Sequence, residues 1–184
     1  GKFNSKEKLE PHLDNGAKKV IVSAPCKNAD KTVVFGVNES ELKKNDKIIS
    51  AASCTTNCLA PVVKVVNENF GIMHGAITTL HDITNTQVPI DSFKSDLRRA
   101  RSSIQSLIPT TTGSAKAIGM IFPELQGKLN GHAVRVPLLN ASLTDAVFEL
   151  ERKVSVQEVN DAFQRAAEGD LKGILGYEER PLVS

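Results

Sequence analysis

The apolar positions of this chain follow two different rhythms. Up to residue 50 they come in short unbroken runs, Lys19-Val20-Ile21-Val22-Ser23, Thr32 to Val37 and Asp46 to Ser50. Runs without polar alternation predict strands buried on both faces, as in a parallel sheet covered by helices. Ahead of them Ser5 to Ala17 predicts a helix, with Ser5 as its cap, Leu9 and Leu13 on one face and Gly16 as its stop. From Leu59 the spacing becomes helical through Val62, Val63, Val65 and Val66 to Asn69-Phe70-Gly71, with Pro61 expected in the first turn, where its missing N–H costs little. His74 to His81 predicts a strand, Asp82 to about Ser103 a long polar loop, and Ala115 to Ile121 a helix of small residues. Gly131 to Leu138 and Leu143 to Leu150 alternate as strands, Ala146, Phe148 and Leu150 sharing one face. Ser155 and Glu158 form a capping box for a last helix carrying Val156, Val159 and Phe163 and closed by Gly169.

The change of rhythm predicts a fold of mixed class, α/β and α+β. The last part of a doubly wound domain occupies 1–53, and most of an α+β domain with a mixed or antiparallel sheet occupies 54–184. The first strand and Gly-rich phosphate loop that open a doubly wound domain are absent, so the chain reads as starting in mid-domain. With 184 residues, 40% of them apolar, a sizeable core is available. Lys and Arg number 23 against 21 Asp and Glu, a net charge of +2 that gives no support for a nucleic-acid or membrane surface over the whole chain. Three cysteines without a CxxC pair, and no apolar run of signal-peptide or membrane-span length, point to a reducing, cytoplasmic setting.

The densest chemistry is Ser53-Cys54-Thr55-Thr56-Asn57-Cys58, at a strand-to-helix junction. There, free backbone N–H groups and the helix dipole favour a thiolate, so Cys54 is either a nucleophile or a small core residue. Cys58 offers a CxxxC metal pair only if further ligands exist, and none cluster with it; Cys26 reads as inert. His81, at the end of its strand, is the candidate base for Cys54. Arg98, Arg99 and Arg101 suit a solvated face, a nucleic-acid patch or a phosphate clamp; a single Tyr and no Trp weaken the second. Thr110 to Gly113 suits a phosphate cradle or an ordinary helix start. Arg135, between Val134 and Val136, is expected in mid-strand, where a charge needs an anionic partner.

Five collinear motifs carry a resemblance. Ser50-Ala51-Ala52-Ser53-Cys54-Thr55-Thr56-Asn57-Cys58-Leu59-Ala60-Pro61, Thr78-Thr79-Leu80-His81, Leu97-Arg98-Arg99-Ala100-Arg101, Ile108-Pro109-Thr110-Thr111-Thr112-Gly113 and Leu129-Asn130-Gly131-His132-Ala133-Val134-Arg135-Val136-Pro137 resemble the phosphorylating glyceraldehyde-3-phosphate dehydrogenases. The resemblance implies a remnant of an NAD(P)-binding Rossmann domain followed by a catalytic domain, with Cys54 as nucleophile and His81 as base. It implies Thr84 and Arg135 for the substrate's phosphate, Ser53, Thr55, Arg99, Thr112 and Gly113 for the attacking inorganic phosphate, and Ser23 for the cofactor, NAD or NADP. It implies no metal, no membrane and no nucleic acid, and a homotetramer with the Asp82 to Ser103 loop near a subunit boundary.

The chain departs from the common family pattern at Asp82 and Ile83, at Thr86, where an aspartate often stands, and at Ser92-Phe93, which replaces a Leu-Pro pair of many NAD-preferring members. An erythrose-4-phosphate dehydrogenase or an arsenate-linked paralogue is the alternative within the same chemistry. A Cys–His hydrolase or an RNA-binding role lies further off, because Arg99, Thr112 and Arg135 suit phosphate groups near the cysteine.

Overall fold

The computed structural model of the protein describes residues 3–183; positions 1–2 and 184, the outermost ends of the two expected domain spans, lie outside them. Two sheets are joined by one long helix. The first is parallel, in the order β1-β3-β2, from β1 (Val20–Val22), β2 (Lys31–Thr32) and β3 (Ile48–Ser50). Burial on both faces holds for β3, whose three residues are all buried, but not for β1 at the edge, where Ile21 is 71% exposed. The expected strand from Thr32 to Val37 ends after Thr32. Buried Asn38 accepts the Val34 N–H and donates to the Thr32 carbonyl, and Gly36 at φ +81° completes the bend.

The helix expected from Ser5 to Ala17 is broken in two. A 3-10 turn spans Lys6–Lys8 and a short helix α1 spans Glu10–Asp14; Ser5 makes no side-chain cap bond. Pro11 decides this, since its ring and missing N–H are tolerated only in a first turn. The same rule fails at Pro61. Helix α2 runs Cys54–Phe70 and carries Pro61 in its interior, buried, because Ser53 caps the helix eight residues before the proline. The apolar repeat that begins at Leu59 marks where α2 meets the core, not where it begins. Leu59, Val63 and Val66 pack with Ile118, Ile121, Leu125 and Leu129 in that core.

The second sheet has the order β5-β6-β4-β7, built from β4 (Ile72–His81), β5 (Ile108–Thr111), β6 (Leu129–Arg135) and β7 (Leu143–Leu150). It is mixed: β4 and β6 are parallel, and β7 and β5 pair antiparallel on either side. Strand β5 falls on Pro109-Thr110-Thr111, which read as a lead-in to the next helix; Pro109 is accommodated on an edge strand. Helices α2, α3 (Ser114–Ile121) and α4 (Val156–Glu168) supply the core on one face. The Ser155–Glu158 capping box forms as expected, although Val156 points away from the core at 79% exposure. Ala146, Phe148 and Leu150 face the core and Val147 faces outward, as their alternation predicts. A bulge between Ile72 and His74 shifts the phase of β4, so that Ile77, Thr79 and His81 all turn inward.

Candidate active site

Chain direction alone brings Cys54 and His81 together. Helix α2 is roughly 25 Å long, turns at Gly71, and β4 returns alongside it for roughly 33 Å. The first residue of the helix and the last residue of the strand therefore lie at the same end. Cys54 Sγ and His81 Nε2 are 3.3 Å apart, although 27 residues separate them in sequence.

The approach to Cys54 is sharply shaped. After β3, Ala52 takes a left-handed conformation, φ +61°, a strained choice for a residue with a Cβ. Ser50 Oγ holds this turn by donating to the Ala24 carbonyl and accepting the Ala52 N–H. Ser53 then caps α2 through its Oγ, which accepts from Thr56 N–H, and Asn57 donates to the carbonyls of Ala51 and Ser53. Cys54 is left exposed on the first turn, while Thr55 and Thr56 are buried beneath it. The unpaired N–H groups of such a first turn attract an anion.

The parallel register of β4 and β6 sets His81 beside Arg135. Arg135 is thus the last residue of β6 rather than a mid-strand residue, and its guanidinium reaches across the strand ends. Burial pushes its pKa down, with Asp82 and Cys54 opposing that shift and Arg99 adding to it; an arginine so placed stays charged. Its Nε is buried without a partner. His81 Nδ1 has three close neighbours: Asp82 Oδ1 at 2.6 Å, the Asp82 carbonyl at 2.8 Å and Arg135 Nη1 at 2.5 Å. A ring nitrogen cannot serve both acceptors and a donor. Two acceptors, one of them a full charge, favour a proton on Nδ1, and Arg135 Nη1 then directs its hydrogen to the Asp82 carbonyl at 3.0 Å. This leaves the Nε2 lone pair facing the thiol.

A cleft of about 720 Å³ opens around the pair. Its walls are Pro25, Cys26, Thr32 and Ser50 from the parallel sheet, Ser53 to Thr56 from the start of α2, Thr111 to Ser114 from the start of α3, and His81 and Arg135 from the mixed sheet. Two helix N-termini converge on it. Among the described residues the lining contains Lys27 and Arg135 and no carboxylate, so the cleft is built for an anion.

Of the residues singled out in the sequence, Ser53, Cys54, Thr55, His81, Thr112, Gly113 and Arg135 line this cleft. Three others do not. Thr84 lies in the loop after β4, bonded to Thr86 and Gln87. Arg99 donates to Thr110 Oγ1 at 2.9 Å and pairs with Asp96. Ser23 follows β1, but Pro25 and Cys26 form the wall there. Asp96 pairs with Arg98 and Arg99 and Asp91 with Arg101, so two carboxylates offset part of the charge of the three arginines and weaken the basic patch an RNA surface would need. Sequence reasoning left Ser114 and Asp82 without roles. Ser114 is buried in the cleft wall and bonded to Thr112; Asp82 stands out in the sequence only as the neighbour of His81 and a departure from the common family pattern. Among the described residues no three His, Cys, Asp or Glu side chains group to hold a metal, and no helix is long and apolar enough to cross a membrane.

Fold and site together define an α/β protein with a cysteine–histidine pair in an anion-receptive cleft between a parallel and a mixed sheet. Residues 53–184 match the family pattern described as glyceraldehyde 3-phosphate dehydrogenase, C-terminal domain. The whole chain is 59% identical to glyceraldehyde-3-phosphate dehydrogenase 3 of Nostoc sp., 57% identical to glyceraldehyde-3-phosphate dehydrogenase of Geobacillus stearothermophilus and 56% identical to glyceraldehyde-3-phosphate dehydrogenase 1 of Bacillus cereus. It covers 55% of the length of each, so it spans about half of the curated relatives it matches. The chain belongs to the glyceraldehyde 3-phosphate dehydrogenase family.

Proposed function

We propose that the protein containing this chain is a phosphorylating aldehyde dehydrogenase. It converts D-glyceraldehyde 3-phosphate and inorganic phosphate to 1,3-bisphosphoglycerate through a thioester on Cys54, as a step of glycolysis and gluconeogenesis. The observation that carries the reading is the 3.3 Å Cys54–His81 pair inside a cleft that holds basic groups and helix N-termini but no carboxylate.

His81 Nε2 takes the thiol proton, and Cys54 Sγ adds to the aldehyde carbon. The proton returns to the oxygen as the hemithioacetal forms, and His81 accepts it again when that carbon is oxidised to the thioester. Phosphate then attacks the acyl carbon and the Cys54 thiolate leaves. Arg135 holds the substrate's own phosphate, with its unpartnered Nε as a donor, and Thr84 assists it. Ser53, Thr55, Thr112 and Gly113 hold the attacking phosphate at the starts of α2 and α3, joined by Arg99 when it exchanges Thr110 and Asp96 for the anion.

A nicotinamide cofactor, NAD or NADP, fits the residues present. The carboxyl ends of β1, β3 and β2 open onto the same cleft, the place where parallel sheets receive nucleotides. Residues 1–53 are then the part of the cofactor domain this chain contributes, 54–184 the catalytic domain, and Ser23 a cofactor contact. A bound nicotinamide would supply the hydride acceptor for the carbon held on Cys54. The reading also includes a cytoplasmic homotetramer, supported by apolar side chains left open on the loop and outer sheet face, among them Phe93, Leu139 and Val147.

The test is nicotinamide reduction by the intact protein given glyceraldehyde 3-phosphate, phosphate and cofactor. Cys54→Ser is expected to lower turnover by about 10⁴-fold or more. Normal turnover by that variant, or none by the parent, overturns the assignment.

A further inference from the structure

We infer that the Asp82 carboxylate is a positioning residue for His81, making the pair into a Cys54–His81–Asp82 triad in which the base and its counter-charge are adjacent in sequence. The inference rests on Cys54 and His81 acting as nucleophile and base. Its ground is geometric. Asp82 Oδ1 lies 2.6 Å from His81 Nδ1, the ring nitrogen remote from the thiol.

The carboxylate is fixed in that place. The Asp82 N–H donates to Ser142 Oγ at 3.1 Å, and Ser142 Oγ donates back to Asp82 Oδ1 at 3.3 Å. The strand ends on either side are pinned by Val136 N–H to the His81 carbonyl and Ile83 N–H to the Leu138 carbonyl.

Of the two oxygens beside Nδ1, the backbone carbonyl makes the hydrogen bond and the carboxylate an ion-pair contact, and only the carboxylate adds charge. The backbone carbonyl of residue 82, at 2.8 Å, would accept the Nδ1 proton whatever side chain stood there. What the side chain contributes is therefore a negative charge beside the ring. The site needs one. When His81 takes the thiol proton it becomes an imidazolium 2.5 Å from the Arg135 guanidinium, with Arg99 adding further positive charge nearby. Two cations at that distance oppose the proton transfer, and a carboxylate touching Nδ1 offsets the opposition. Asp82 thus lets the site keep Arg135 for an anion and still ionise Cys54. The proton balance is simple: it moves from Sγ to Nε2, while Nδ1–H stays on the ring, as in other triads.

The experiment measures the rate at which iodoacetamide alkylates Cys54 at neutral pH, in the intact protein with Cys26→Ser and Cys58→Ser so that one thiol reports. It needs no cofactor or substrate. Asp82→Asn keeps the acceptor for Ser142 and the backbone carbonyl for Nδ1–H, and removes only the charge. It is expected to slow alkylation about tenfold or more, with Asp82→Glu recovering most of the rate and the downfield Nδ1 proton resonance of His81 moving upfield only in the Asn variant. If Asp82→Asn reacts at the parent rate while His81→Asn is slowed, the triad is overturned and the pair stands. If neither variant is slowed, both the triad and the base role of His81 fall.

Discussion

The two sheets that wall the cleft are held in opposite ways. In the mixed sheet, β4 is ten residues long, paired on both edges and packed against α2, and His81 and Arg135 sit at the ends of the sheet's two central strands. In the parallel sheet no strand exceeds three residues, only β3 is buried, and β1 leaves Ile21 open. Much of its order comes from side chains instead. Asp30 accepts the N–H groups of Lys47 and Ile48 at the start of β3 and pairs with Lys6, and Asn38 and Ser50 close the turns. The difference shows how the work is divided. The proposed base and the arginine stand on the sheet held by its own pairing and packing, while the smaller sheet presents a wall fastened by polar contacts and leads into the helix that carries Cys54.

Three measurements bear on that contrast, the largest effect first. His81→Asn removes the proposed base from the end of β4 and is expected to lower turnover about 10²–10⁴-fold, with circular dichroism unchanged; a parent-like rate would take that role off the mixed sheet. Ile77→Ala hollows the core under β4 and is expected to cost about 2–5 kcal/mol in denaturant unfolding, whereas Ile21→Ala on the open face of β1 should change stability by about 0.5 kcal/mol or less. Equal costs would mean that β1 is covered in the assembled protein. Asp30→Ala orphans two strand N–H groups and is expected to cost about 1–3 kcal/mol.

Acid sharpens the last of these. Lys6 and the two N–H groups hold the Asp30 carboxyl down at about 2, below its ordinary value, so its contribution is complete above the unfolded carboxylate range and disappears as pH falls toward 2. The parent should lose stability through that window, and Asp30→Ala should lose less.

How much of this was legible depended on the range of the forces involved. Capping chemistry is local, so the Ser155–Glu158 box and the Ser53-Cys54 junction were readable, as was the alternation of β7. The start of α2 was misread because the apolar repeat reports contact with the core, whereas the helix begins at its cap, carrying Pro61 into the interior. β5 and the truncated β2 were misread because edge pairing and the side chain of Asn38 decide where those strands end, and neither leaves a periodic trace. Arg135 was recognised as a charge in need of a partner, but its place at a strand end follows from the register of β6 on β4.

The sequence by itself singled out candidate groups: local pattern picks out a cysteine after a helix cap and a histidine closing a strand, and the family resemblance adds the threonines and arginines for phosphate. Only the tertiary structure decided that Cys54 and His81 stand 3.3 Å apart, that Arg135 crowds the far side of the ring, and that Asp82 supplies a charge there. Those facts depend on a helix and strand running back along each other and on a parallel register. The pairing energy of a sheet is spread over residues far apart in the chain, and no short stretch of sequence contains it.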